Sequence, residues 1–320
     1  MAIPVDVVTF GETMIRFSPP DHQTFEQATT ANVTIGGSES NVAVALSRLG
    51  VKTAWISKLT DNPLGKKIYT SIAAHGVDLS GVVWISRGRN ATYFVELGKP
   101  PRSHRVTYDR KASAINTLQP SEINWSLFKG AKIVHLTGIT AALSSNCRKL
   151  VEMMIKRARK EKALVSFDVN YRAKLWSCKR AGEILSPLCL GVDILFVNYE
   201  DAANVFGARG APEDVLKNLQ SRFNGAAVVL TVGKDGAFCR HKGQIFRSRT
   251  FLAVETDRVG AGDAFAAGFL FGFLNRDVQY SLDFASALSS LKFTIPGDLA
   301  WISRADVEGI LQNDRPAIQR

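Results

Sequence analysis

Ala163-Leu164-Val165-Ser166-Phe167-Asp168-Val169-Asn170 reads as a short buried strand that ends in polar chemistry, and the chain uses that pattern four times. Lys132 to Leu136 runs into Thr137-Gly138, Asp193 to Val197 into Asn198-Tyr199-Glu200-Asp201, and Ala227 to Thr231 into Gly233-Lys234-Asp235-Gly236. Apolar runs of this length with little polar alternation suit strands covered on both faces. Helical periodicities separate them, which is the order of βαβ units around a parallel sheet. Open α/β sheets bind ligands beyond the carboxyl ends of their strands, and those ends are where the four polar segments fall.

Upstream the alternation begins at once. Asp6 to Phe10 is a first strand, Glu39 to Leu49 a helix stopped by Gly50, Thr53 to Ser57 a strand, and Pro63 to His75 a helix stopped by Gly76. Two stretches break the rhythm, roughly residues 12–35 and 91–110. In the second, Ala91 to Leu97 and His104 to Tyr108 flank Pro100-Pro101 and read as hairpin strands outside the main sheet. A small β lid over the strand ends is the expectation, and such lids keep water from a reaction that hydrolysis would spoil. With no repeat or linker, residues 1–320 are expected to form one α/β domain with that lid.

Composition narrows the function classes. At 320 residues and 46% hydrophobic content the chain can bury a large core, so disordered and fibrous classes are excluded. The longest apolar stretch, Ala264 to Leu274, contains Gly268 and Gly272 and is far short of the roughly 20 residues a membrane helix needs. The first residues lack a basic n-region, so a cytoplasmic protein is expected. Cys147, Cys178, Cys189 and Cys239 form no CxxC pair and the histidines no zinc pattern. The net charge of +11 suits nucleic acid, an acidic surface or anionic small molecules alike. Its densest run, Lys156 to Lys162, closes a helical pattern where cations suit the helix dipole, and no aromatics interleave it as stacking on nucleic acid would require.

The chemistry concentrates in Asp257-Arg258-Val259-Gly260-Ala261-Gly262-Asp263-Ala264, a glycine turn feeding a helix. A helix start exposes unpaired N–H groups, glycines let them approach a phosphate, and the dipole adds positive potential. Charge developing on a transferring phosphoryl group would be stabilised there, and Asp263 sits where the donors converge, placed to take a hydroxyl proton. A plain aspartate cap on a buried helix is the competing reading. Phe265 stands where GxGxxG needs its third glycine, and no P-loop, HRD or DFG motif is present.

Together with Gly36-Gly37-Ser38-Glu39-Ser40-Asn41-Val42-Ala43, that segment resembles the two signatures of the PfkB/ribokinase-like sugar kinases, over nearly the whole chain. Asp168-Val169-Asn170-Tyr171-Arg172 and Asp257-Arg258-Val259 look most like the 2-keto-3-deoxygluconate kinases of that family. The resemblance implies a ribokinase-like, mostly parallel sheet flanked by helices, a β lid that often mediates homo-oligomers, and ATP with Mg²⁺. It makes Asp263 the base and Gly260, Ala261 and Gly262 an anion hole, with Thr231, Gly233, Asp235 and Gly236 along the nucleotide. The family's Asn-x-x-Glu appears as Asn198 to Asp201, so the shorter Asp201 would act on Mg²⁺ through water, unless Asn198 and Asp201 only cap the next helix. Asp257 would help hold a monovalent cation such as K⁺, or form a salt bridge with Arg258 or another cation. For a sugar acid, Arg110 and Arg172 would meet the carboxylate as planar forks, and Tyr93, Tyr108, Gly37 and Asn41 would contact the chain hydroxyls. The alternatives are a PfkB kinase for fructose, ribose or adenosine, which needs no paired arginines, and a non-catalytic basic protein that holds nucleic acid.

Overall fold

The computed structural model describes residues 4–225 and 227–312. The chain opens with β1 (Val7–Phe10), β2 (Met14–Ser18), β3 (Asn32–Gly36), α1 (Ser38–Arg48), β4 (Thr53–Thr60), α2 (Pro63–Ala73) and β5 (Asp78–Ile85). There follow β6 (Thr92–Glu96), β7 (Arg105–Asp109), β8 (Ile133–Thr137), α3 (Gly138–Leu143), α4 (Ser145–Lys160) and β9 (Leu164–Asp168). Next come α5 (Cys178–Cys189), β10 (Ile194–Asn198), α6 (Tyr199–Phe206), α7 (Pro212–Phe223) and β11 (Ala227–Thr231). The chain continues through β12 (Ala237–His241), β13 (Gln244–Arg247), α8 (Ala261–Asn275), α9 (Val278–Phe293) and α10 (Arg304–Gln312).

Nine strands form one sheet in the order β13-β12-β11-β10-β9-β8-β1-β4-β5. All its pairings are parallel except β11 with β12 and β12 with β13. Successive side chains of a strand point to opposite faces, and both faces are covered. Val8, Phe10, Val134, Leu136, Val165 and Phe167 enter one core. Val7, Ile133, Ile194, Phe196 and Val229 enter the other, beneath α1, α8 and α9. Helices α8 and α9 pack backbone to backbone: a Cβ on Gly268 would lie 2.7 Å from Ala285 Cα, and one on Gly272 2.5 Å from Ser281 Cα. Phe269, fully buried between α8 and the sheet, is worth about 3–5 kcal/mol against Ala.

The strand register fixes the place of the site. Thr137 aligns with Asp168, Asp168 with Phe196, and Asn198 with Thr231, so the polar ends lie along one edge of the sheet. Over them stands the second sheet, ordered β3-β2-β6-β7. It corrects the expectation of hairpins in one respect: β2 pairs with β6 in parallel, which sews the two lid segments together. Strand β4 also runs three residues past the expected end, because Lys58 is buried and satisfied by Glu122 at 2.8 Å. Strand β5 and the antiparallel pair β12 and β13 extend the sheet beyond the strands the sequence marked.

Candidate active site

Helix α8 begins at the glycine turn. Gly260 has φ +83°, the left-handed region, and a Cβ there would lie 2.1 Å from the Asp298 carbonyl oxygen, so only glycine fits. Its own carbonyl accepts the Ala264 N–H at 2.9 Å. A Cβ on Gly262 would meet nothing within 4 Å, so the helix start faces open space. Its first N–H groups are those a helix leaves without intrahelical partners, and of them the Ala261 N–H donates to the Arg258 carbonyl at 3.2 Å.

Asp263 stands in that first turn and is held from the opposite helix. Ser38 Oγ donates to its Oδ1 at 2.6 Å and Asn41 Nδ2 to its Oδ2 at 2.7 Å. Both donors belong to the first turn of α1, which starts at Gly37 because a Cβ on Gly37 would strike the Glu12 carbonyl oxygen at 2.1 Å. Asn170 Nδ2 donates in turn to Ser38 Oγ at 2.9 Å, which orients the Ser38 hydrogen toward Asp263. Asn170 reaches it from a left-handed backbone, φ +40°, a conformation in which asparagine is enriched. Burial raises the Asp263 pKa to about 6 against the pull of the Ser38 and Asn41 hydrogen bonds. Each carboxylate oxygen keeps a lone pair beyond the one Ser38 or Asn41 uses, so Asp263 can still accept a proton.

Two further carboxylates flank it. Asp168 is pushed up to about 8 by burial and by the charge of Asp263, with Arg172 pulling the other way. Glu39 is pushed up to about 7 by burial, against hydrogen bonds from Thr140 and Thr137, which donate to its Oε1 at 2.6 and 2.8 Å. Gly11 leaves the room for this carboxyl, since a Cβ there would lie 2.1 Å from Glu39 Oε2.

On the nucleotide side, Asn198 caps α6, accepting the Asp201 N–H at 2.7 Å. Asp201 is buried and accepts the Tyr171 N–H at 3.0 Å through Oδ2. Thr231 ends β11 beside Asn198, and an exposed turn follows in which Gly233 (φ +56°) and Gly236 (φ +88°) are both at positive φ. Asp235 lies on the same turn and is exposed.

The lid side departs more from expectation. Tyr93 is 2% exposed and its hydroxyl donates to Asp298 Oδ1 at 2.6 Å, so it is a buried strut and not a free reader of hydroxyls. Arg110 is committed to Glu12, with Nε at 2.9 Å and Nη2 at 2.7 Å from its Oε2. The edge of the guanidinium that would fork a ligand carboxylate is therefore taken on that side. Tyr108 stacks on Tyr93 at 5.9 Å, and with Arg105, Arg172 and Lys174 it lines a cleft of about 510 Å³ between β7 and the loop after β9. Arg172 is half-buried there, and its charge acts on Asp168, Asp201 and Asp263. Asp257, expected to hold a monovalent cation or to form a salt bridge with Arg258 or another cation, pairs with Arg16 at 2.6 Å.

Sequence reasoning quoted Ser38, Glu39, Asn170 and Asp168 without giving them site roles, and it passed over Arg16 and Asp298. A charged residue inside Met14-Ile15-Arg16-Phe17 was a signal of a buried pair, but its partners lie 241 and 282 residues away.

A helix N-terminus facing open space at the carboxyl edge of a parallel sheet, with a gripped carboxylate and a lid above it, defines a phosphotransferase of the α/β sugar-kinase type. The model of the pfkB family of carbohydrate kinases matches residues 5–301, and the chain belongs to that family. It is 37% identical to a 2-dehydro-3-deoxygalactonokinase of Haloferax volcanii over 98% of this chain and 99% of that one. It is 31% identical to a 2-dehydro-3-deoxygluconokinase of Thermoproteus tenax over 92% of this chain and 90% of that one. The crystal structure of a 2-dehydro-3-deoxygluconokinase from Thermotoga maritima superposes with a TM-score of 0.92 at 33% identity, covering 96% of this chain and 99% of that one.

Proposed function

We propose that this carbohydrate kinase transfers the terminal phosphoryl group of ATP to a hydroxyl of a 2-keto-3-deoxy sugar acid: 2-keto-3-deoxygluconate, with its galactonate epimer as the close second. The observation that carries the reading is a gripped carboxylate, Asp263, on which Arg172 acts by its charge while itself lining a cation-rich cleft beside β7. The names of the similar kinases from Haloferax and Thermotoga point to the same substrate class.

In this reading the acceptor hydroxyl loses its proton to Asp263 as its oxygen bonds to phosphorus, and ADP leaves. The Gly260, Ala261 and Gly262 amides and the α8 dipole stabilise the charge on the transferring group. Arg172 meets the substrate carboxylate, Tyr108 and Asn41 lie along the chain, and Gly37 keeps α1 close enough for Asn41 to reach. Arg110 contributes through Nη1, the nitrogen that Glu12 leaves free, and Tyr93 acts only indirectly, by backing the Tyr108 ring on which it stacks.

The donor set fits a nucleotide: Gly233 and Gly236, both at positive φ, exposed Asp235 and the strand-end Thr231 form an open turn beside Asn198. Mg²⁺ would neutralise the phosphate charge, with Asp201 acting through water by the oxygen that Tyr171 does not use. Among the described residues no group of three or more His, Cys, Asp or Glu gathers to hold a metal, in keeping with an ion that enters with the nucleotide. Because Arg16 already sits on Asp257, the reading assigns no K⁺ to that carboxylate. It extends to a homo-oligomer through the lid, whose edge strand β3 exposes Asn32, Val33 and Thr34, and to the cytoplasm, in keeping with four free cysteines. No helix among the described residues is long and apolar enough to cross a membrane.

A coupled ADP-release assay with Mg-ATP and 2-keto-3-deoxygluconate, its galactonate epimer, fructose, ribose and adenosine tests the reading. The sugar acids are expected to give the highest kcat/KM. A preference for a neutral member of the panel keeps the kinase and overturns the carboxylate recognition.

A further inference from the structure

Arg16 belongs to the lid strand β2, among Met14, Ile15 and Phe17, yet it is 1% exposed. A buried guanidinium is costly unless its donors find acceptors. Nη2 donates to Asp257 Oδ2 at 2.6 Å, Nη1 to Asp298 Oδ1 at 2.8 Å and Nε to Ser18 Oγ at 2.8 Å.

The two carboxylates flank the glycine turn. Asp257 leads into it, with Oδ1 accepting the Val259 N–H at 3.0 Å and Oδ2 the Gly297 N–H at 2.9 Å. Asp298 supports it from behind, since its carbonyl oxygen is the atom that a Cβ on Gly260 would strike. Lys292, also buried, donates to the Asp257 carbonyl at 3.1 Å and completes a balance of two cations against two carboxylates. The same Asp298 Oδ1 receives the Tyr93 hydroxyl from β6, and Tyr93 stacks on Tyr108 at the mouth of the substrate cleft. There is no slack in this chain of contacts. A Cβ on Gly36 would lie 2.2 Å from Tyr93 Oη and 2.3 Å from Asp298 Oδ2.

We propose that Arg16 is a positioning residue for phosphoryl transfer: it clamps Asp257 to Asp298, holds the Gly260-Ala261-Gly262 turn in its working shape, and ties that shape to the lid. Seating the substrate against Tyr108 then steadies the anion hole through Tyr93, Asp298 and Arg16. The proposal rests on the kinase reading for the roles of the two ends, while its geometry stands without it.

The test is a pair of variants read by kinetics and by hydrogen exchange. Arg16→Lys keeps the charge and loses the fork. Arg16→Ala leaves a hole beside a cleft of about 760 Å³ that Arg16, Asp257 and Gly297 line, through which free guanidinium can enter. We expect Arg16→Lys to lower kcat at least about tenfold with KM for ATP within about threefold, the signature of a contribution made mainly in the transition state. In Arg16→Ala, guanidinium at about 20 mM, far below denaturing levels, returns at least about fivefold of the lost kcat, and it returns nothing to Asp263→Asn. In the wild type, 2-keto-3-deoxygluconate slows amide exchange in both 91–110 and 257–262; in Arg16→Lys only the lid remains protected. Wild-type kcat in Arg16→Lys, or a loss of kcat that only matches a loss of folded protein by near-UV circular dichroism, overturns the proposal. If Arg16→Ala does not fold, Arg16→Lys decides alone. If the wild type phosphorylates no sugar acid, the substrate reading fails, and the same split is measured on whichever sugar of the panel it does phosphorylate.

Discussion

Ser38→Ala should move the acid limb of the rate profile toward neutrality. Asp263 must be ionised to accept the hydroxyl proton, and burial already raises its pKa to about 6, so activity is lost as pH falls through that value. Ser38 opposes the rise by donating to the ionised form at 2.6 Å. A hydrogen bond to a charged group contributes about 1.5–3 kcal/mol, and about 1.4 kcal/mol is one pKa unit. Losing it should therefore raise the pKa by about 1–2 units. At pH 7 the ionised fraction then falls from about nine-tenths to between about a half and a tenth. The assay is kcat/KM for the sugar acid from pH 5 to 9, wild type beside variant, so that the titration of ATP itself cancels. Superimposable limbs, or a limb displaced toward acid, would refute the assignment of Asp263 as base or the role of Ser38 in tuning it.

Arg172→Ala should raise KM for the sugar acid at least about tenfold, because it removes a charge-assisted fork, whereas Arg110→Ala should cost more in thermal stability than in KM, since it strands buried Glu12; parallel initial-rate and melting measurements check both. With Arg16 on Asp257, turnover should be the same in potassium, sodium and tetramethylammonium salts at equal ionic strength, and a specific rise with potassium would contradict this. Asp168→Asn should raise Tm by about 2 °C or more at pH 8 and by less at pH 5. The sign follows from a folded-state pKa of about 8, raised above the ordinary 3.8: the stability that protonation supplies is intact at low pH and is lost as pH rises through that window. Melting curves across pH 5–8 read it, and a Tm gain that is flat or shrinks with pH would count against a strained carboxyl.

Most of the main sheet was legible because its strands are local objects. Five-residue apolar runs such as Ala227 to Thr231 carry their own signal, and their polar ends proved to lie along one edge in register. Strands with less pattern were missed. In β5 the burial alternates irregularly, and β12 carries Arg240 and His241. At the site, the glycine turn that opens α8 was legible because one short segment carries it, whereas Asn41, expected on the substrate hydroxyls, spends its Nδ2 on Asp263. Long-range pairing was not legible. Nothing near Tyr93 or Arg110 announces Asp298, 205 residues away, or Glu12, 98 residues away. A tyrosine and an arginine that look free in sequence are each spent on a buried carboxylate, and Asp298 and Arg110 in turn explain why charged Arg16 and Glu12 are tolerated inside the lid junction.

The central claim is that Asp263 is the base of a sugar-acid kinase, and the most direct measurement is ADP release from Mg-ATP and 2-keto-3-deoxygluconate by wild type and Asp263→Asn, with ATP binding followed by calorimetry on the same samples. The account predicts wild-type turnover, a loss of about 10²–10⁴ in kcat for the variant, and ATP binding largely intact. A variant that kept near-normal kcat would contradict it.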